Sequence, residues 1–213
     1  MVNYYSIKGI TTHEINIKKS RFITYLIPIG DETLIADILG KIRKEHYKAN
    51  HHCYAYILGE DGEIQKASDD GEPSGTAGQP ILEVLKQKQL TKLIAIVVRY
   101  FGGIKLGAGG LIRAYATSVS TTLEKAPLIQ NVDQDIIQIQ IGYSNNDLLL
   151  HYIDQANYTI SILDKQFTEQ VTYQLGIYPQ DTSAIYENLM NLFKGQLNWE
   201  LIETRAIDII CNP

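Results

Sequence analysis

Three carboxylates, Asp69, Asp70 and Glu72, stand within four residues of one another in the stretch SDDGEPSGTAGQP (68–80), with Ser74 and Thr76 just beyond. Carboxylates so spaced can hold a hard cation such as Mg²⁺, and hydroxyls become nucleophiles where a base stands beside them. Neither chemistry is fixed here. The stretch lacks the EF-hand pattern, no base is identifiable near the hydroxyls, and Asp and Gly at this density more often build turns and helix caps.

A second dense stretch, RYFGGIKLGAGGLIRAY (99–115), is basic, with Arg99, Lys105 and Arg113 set among five glycines. Glycine lets a backbone approach a ligand closely. The stretch runs from an apolar strand pattern into a helix start, where free N–H groups and the positive dipole end suit an anion. Arg113 falls in the first turn of a helix opening at Gly109, where a cation opposes the dipole by about 0.3–1 kcal/mol and a bound anion would remove that cost. The expected anion-binding residues are Arg99, Lys105, Gly107, Gly109, Gly110 and Arg113. The named nucleotide loops do not fit. No Lys-Ser or Lys-Thr follows a glycine, and a fingerprint starting at Gly107 meets Ile112 where Gly or Ala is required. Three acids in one loop and three bases in the other also predict that the loops hold each other, so mutual pairing and ligand binding both stay open.

A third cluster, HYKANHHCYAY (46–56), offers His46, His51, His52 and Cys53, at a spacing that fits no closed zinc site. No metal and no cofactor is expected. On a strand, Cys53, Ala55 and Ile57 share a face directed to the core, and His52, Tyr54 and Tyr56 share the other. That second face is expected to be half-exposed and available to stack bases.

The elements around these residues follow from periodicity. NYYSIKG, THEINIKKS and RFITYLIPI read as strands. DETLIADILGKIRKEHY reads as a helix capped by Asp31, with Leu34, Ile35, Ile38, Leu39 and Ile42 on one stripe. HCYAYILGEDGEIQKA is a hairpin turning at Asp61-Gly62, PILEVLKQKQ a short helix, and KLIAIVVRYF a buried strand. A helix from Gly109 places Leu111, Tyr115, Val119 and Leu123 on one face. APLIQNVD reads as a seam, near Pro127–Asp133, dividing domains 1–128 and 132–213. Beyond it DIIQIQIGY, SNNDLLLHYIDQAN, YTISILD, QVTYQLGIY, DTSAIYENLMNLFKG and NWELIETRAIDII give the βαββαβ order of a ferredoxin-like unit. Ser144 and Asp147 stand at capping-box spacing. Asp181 is placed to cap the second helix and Gly195 to close it.

Charge divides along the same seam. Residues 1–125 hold 16 Lys+Arg against 13 Asp+Glu, a net of +3, and residues 126–213 hold 3 against 11, a net of −8, within an overall −5. The acidic half is poorly suited to gripping phosphates. Two distant cysteines point to a reducing, cytoplasmic setting. Neither a signal peptide nor an apolar stretch of membrane-spanning length is present.

The long ordered stretches ASDDGEPSGTAGQPIL and VVRYFGGIKLGAGGLIRAY, with HHCYAY upstream, resemble the YigZ/IMPACT family over nearly the whole chain. The resemblance implies an α+β protein whose first domain is like ribosomal protein S5 domain 2 and whose second is ferredoxin-like, as in the fifth domain of elongation factor G. Eukaryotic relatives regulate translation under amino-acid starvation through protein–protein contacts, and the two-domain plan is the bacterial one. The resemblance therefore implies a non-enzymatic, translation-linked binding protein that contacts RNA or a ribosome-associated partner through the basic turn. The alternative is an enzyme or sensor for a small phosphorylated molecule held between the two glycine-rich loops. No catalytic residue and no oligomeric state is assigned by the sequence.

Overall fold

The computed structural model describes residues 2–211. They form two compact units, one of residues 3–130 with Ile210 and Cys211, the other of Val2 with residues 131–209.

The first unit is built on a five-stranded antiparallel sheet. Its strands are β2 (Thr11–Ile17), β3 (Ser20–Pro28), β4 (His51–Leu58), β5 (Ile64–Ser68) and β6 (Leu93–Tyr100), in the order β2-β3-β6-β4-β5; β1 (Val2–Ile7) precedes them. β6 lies at the centre and is buried from Leu93 to Arg99, as its unbroken apolar run requires. Helix α1 (Ile35–Glu45) covers one face, packing Ile35, Leu39 and Ile42 on Ile23, Ile94, Ile96 and Val98. Helices α2 (Gly78–Gln87) and α3 (Ala108–Leu123) cover the other, packing on Phe22, Leu26, Cys53, Ala55 and Val97. With both faces covered, strand alternation sorts residues between two cores rather than between core and water. Asp31 caps a short 3₁₀ turn ahead of α1, accepting from Thr33 N at 2.8 Å. α3 starts at Ala108, one residue before the expected start, so Arg113 belongs to its second turn.

The second unit follows the expected order through β7 (Leu128–Ile141), α4 (Asn146–Gln155), β8 (Ile160–Phe167), β9 (Val171–Ile177), α5 (Thr182–Leu192) and β10 (Asn198–Cys211). Its strands pair in the order β8-β9-β7-β10, and α4 and α5 pack Leu149, Ile185 and Leu189 on Ile137, Ile139, Tyr173 and Leu175. The seam expected near Pro127–Asp133 falls on a strand, since β7 begins at Leu128 and runs through it, and the two units divide between Gln130 and Asn131. Ser144 does not cap α4: a 3₁₀ turn over Tyr143–Asn145 intervenes, and Asn145 takes the capping position without a side-chain bond. Asp181 takes the capping position of α5 without a side-chain bond, its carbonyl accepting from Ile185 N at 3.0 Å, and Gly195, at φ +77°, closes the chain beyond the helix by donating to the Met190 carbonyl at 2.8 Å. No helix among the described residues is long and apolar enough to cross a membrane.

Candidate functional site

The acidic loop is ordered by its own carboxylates, each with a different task. Asp69, just after β5, accepts the backbone N–H groups of Ala77 (3.0 Å) and Gly78 (2.8 Å) on Oδ1 and of Gly75 (2.8 Å) on Oδ2. It thereby caps α2 from nine residues upstream, a job usually done by the adjacent residue. Burial pushes its carboxyl up, and the three N–H donors outweigh that and hold it below the ordinary range. Asp70, at φ +41°, accepts from Arg43 Nη2 at 3.0 Å and from the His52 backbone N–H at 2.7 Å, and its carbonyl accepts from His51 Nδ1 at 3.0 Å. Ser74 stays exposed, and Thr76 is buried with its hydroxyl donating to the Pro73 carbonyl at 2.6 Å. Among the described residues no group of three or more His, Cys, Asp or Glu is arranged to hold a metal.

Glu72 points inward, its side chain only 4% exposed, and Oε1 meets Arg99 Nη1 at 2.5 Å; the Arg99 side chain is 5% exposed. The same oxygen accepts from the Tyr115 hydroxyl at 2.8 Å. Arg99 Nη2 donates to Ser20 Oγ at 3.3 Å, and Ser20 Oγ also accepts the Gly102 N–H at 3.2 Å. Cys53 Sγ lies 2.9 Å from the Asp69 carbonyl and 3.3 Å from the Tyr115 hydroxyl. Burial pushes the Cys53 thiol up to about 12, with Glu72, Asp70 and Asp69 adding to the shift, so it is a protonated structural thiol rather than a nucleophile. Burial likewise pushes the Tyr115 hydroxyl up, so it stays a donor.

The structure thus brings together one acid and one base of the two loops, Glu72 and Arg99, and keeps the other charges apart. Arg99 is a correction to the expected anion site: its guanidinium is buried against Glu72, because its position on the central strand aims it under the acidic loop. The expected stacking face also needs correcting. His52 and Tyr56 are buried, since α1 covers that side of the sheet. The Tyr56 hydroxyl donates to Glu32, and the ring of partly exposed Tyr54 is stacked on Tyr56, 6.5 Å between centroids. Burial lowers the His52 pKa, with Asp70 opposing, which favours a neutral ring.

What remains free is the turn into α3. Gly107 adopts φ +71° at the capping position and offers no side-chain bond. The first intrahelical bond is Leu111 N to the Gly107 carbonyl at 2.9 Å, so the N–H groups of Ala108, Gly109 and Gly110 have no partner within the helix. No acid stands in the first turn. Arg113 folds back toward it, Nη1 lying 3.8 Å from where a Cβ on Gly109 would sit. Lys105 and Arg113 are exposed, and among the described residues neither has an ion-pair partner. Phe101, Ile104 and Ile112 expose over two-fifths of their surface in this same segment. Sequence reasoning placed Tyr115 only on a core face and passed over Ser20 and Arg43, whose roles depend on strands and helices distant in the chain. Phe101 was legible as a large aromatic inside a polar, glycine-rich loop.

An antiparallel sheet carrying a buried Glu–Arg clasp, with a cationic, glycine-rich turn exposed at a helix start, defines the class, a two-unit α/β protein. Residues 18–123 match the Impact N-terminal domain. The chain is 40% identical to IMPACT family member YvyE of Bacillus subtilis (strain 168), over 91% of this chain and 88% of that one. It is 36% identical to an IMPACT family member of Haemophilus influenzae, over 95% and 98%. A solved structure described as a hypothetical protein aligns over 95% of this chain and 98% of its own, with TM-score 0.60 and 30% identity. The chain belongs to the IMPACT family.

Proposed function

We propose that this chain is a translation-linked binding protein that engages RNA through the turn into α3. The observation carrying the reading is the combination at Gly107–Arg113: three N–H groups free of the helix ladder, no first-turn acid, and the unpaired cations Lys105 and Arg113. Exposed Phe101 adds a ring on which a base can stack. The family resemblance supplies the link to translation, with RNA or a ribosome-associated partner in the cytoplasm as its setting.

The strand order β10-β7-β9-β8 supports a ferredoxin-like assignment for the second unit, and the family supports a ribosomal protein S5 domain 2-like assignment for the first. The reading of an enzyme or sensor between the loops has less support. Asp69, Asp70 and Glu72 are each engaged with protein groups, and Ser74 has no described base in hydrogen-bond contact.

The test is titration of single-stranded RNA against the full chain and Lys105→Ala over a range of salt. Each phosphate neutralised on a single strand contributes about −0.7 to the log–log slope, so the variant binds more weakly with a slope flatter by about that amount. Equal affinity and slope for the two proteins would sink the reading. Tight binding of a small phosphorylated metabolite without RNA binding would favour the sensor.

A further inference from the structure

The turn joining β2 to β3 consists of Lys18 and Lys19, with Ile17 paired to Ser20. Both lysines have positive φ, 45° and 68°. That is the pattern of a type I′ turn, where Asn-Gly is favoured because both central residues enter the left-handed region. A lysine there crowds its Cβ against the carbonyl, and this turn accepts that strain twice. Both side chains are exposed, and among the described residues neither has an ion-pair partner.

The turn is fixed against the basic loop. A Cβ on Gly102 would sit 2.1 Å from the carbonyl carbon and oxygen of Lys19, so only glycine fits. Ser20 Oγ joins the two segments by accepting the Gly102 N–H. Lys105 follows Gly102 by three residues, which places its Cα within roughly 11 Å of that contact. Phe101 lies beside Gly102 on the same segment.

Resting on the reading of the α3 turn as a phosphate site, we infer that Lys18 and Lys19 form a second phosphate-binding pair, and that the two pairs with Phe101 make a track for a single-stranded nucleic acid. One cation pair is enough for a mononucleotide. Two pairs on adjoining elements, with an aromatic ring alongside, match a chain of repeating phosphates whose bases stack. The role also explains a strained Lys-Lys turn at a place where Asn-Gly would be more stable.

The test titrates a short oligouridylate, over a range of salt, against the full chain, Lys18→Asn/Lys19→Gly and Lys105→Ala/Arg113→Ala. Four neutralised phosphates give a log–log slope of about −2.8, and either double variant brings it to about −1.4. The Asn-Gly variant also melts at a higher temperature than the parent, so binding falls as stability rises. A parent slope of about −1.4, unchanged in the Asn-Gly variant but lost in the α3-turn variant, overturns this inference and leaves the α3 site standing. Full binding by both variants overturns both. Lys18→Gln/Lys19→Gln removes the charge and keeps the strained turn, and undiminished binding by that variant overturns the inference whatever the Asn-Gly variant does.

Discussion

Arg99→Met tests whether the buried clasp is a structural device or part of the ligand site. Two opposite charges 2.5 Å apart attract by about 6–7 kcal/mol at an effective dielectric constant near 20. Withdrawing each ion from water costs several kcal/mol, so the intact pair contributes little net stability. Removing one member leaves the other buried and uncompensated, which costs about 3–5 kcal/mol. That is a large part of a typical total of about 5–15 kcal/mol. Glu72→Gln removes the opposite member while keeping an acceptor for the Tyr115 hydroxyl. The double variant removes both charges and should fall short of the summed single losses by roughly 1–3 kcal/mol. Urea denaturation of the four proteins reads these values directly. Folded Arg99→Met should keep the parent's RNA salt slope, because this guanidinium is buried against Glu72 and so is shielded from any phosphate at the proposed site. Single losses under about 1 kcal/mol with perfect additivity would refute the energetic reasoning. A flattened salt slope for Arg99→Met would refute its placement outside the ligand site.

Asp69→Asn should destabilise the protein by about 1–2 kcal/mol at neutral pH, the scale of a lost helix cap. The folded carboxyl titrates below its unfolded value, about 3.9, so its contribution is fully present above that pH and lost as pH falls through the folded value. Urea midpoints taken across pH should show the gap between parent and variant closing below about pH 4; a gap constant with pH would count against the charge-assisted cap. A fragment of residues 1–128 should unfold cooperatively, because the sheet β2-β3-β6-β4-β5 and helices α1 to α3 all lie within it. A broad, non-cooperative melt of that fragment would count against the proposed division into 1–128 and 132–213.

The order of strands and helices was legible because each carries its own periodicity. The apolar run of β6 announces a central strand, and the Leu111, Tyr115, Val119, Leu123 spacing announces a buried helix face. The charges of the two glycine-rich loops were legible too, and so was a helix starting behind the second of them. The sequence by itself determined which residues carry charge and which elements carry them. Tertiary structure alone decided which charges remain free. Arg99 and Lys105 lie six residues apart in the chain, yet one is buried on Glu72 and the other faces water. The strand register aims Arg99 under the acidic loop, while the glycines carry Lys105 clear of it. Likewise His52, Tyr54 and Tyr56 alternate as a half-exposed strand face would, but α1 closes over them, and alternation cannot tell a face turned to water from one turned to a second core. The contact of Gly102 with the Lys18-Lys19 turn joins residues more than eighty positions apart, through a pairing of β3 with β6 that no local pattern encodes.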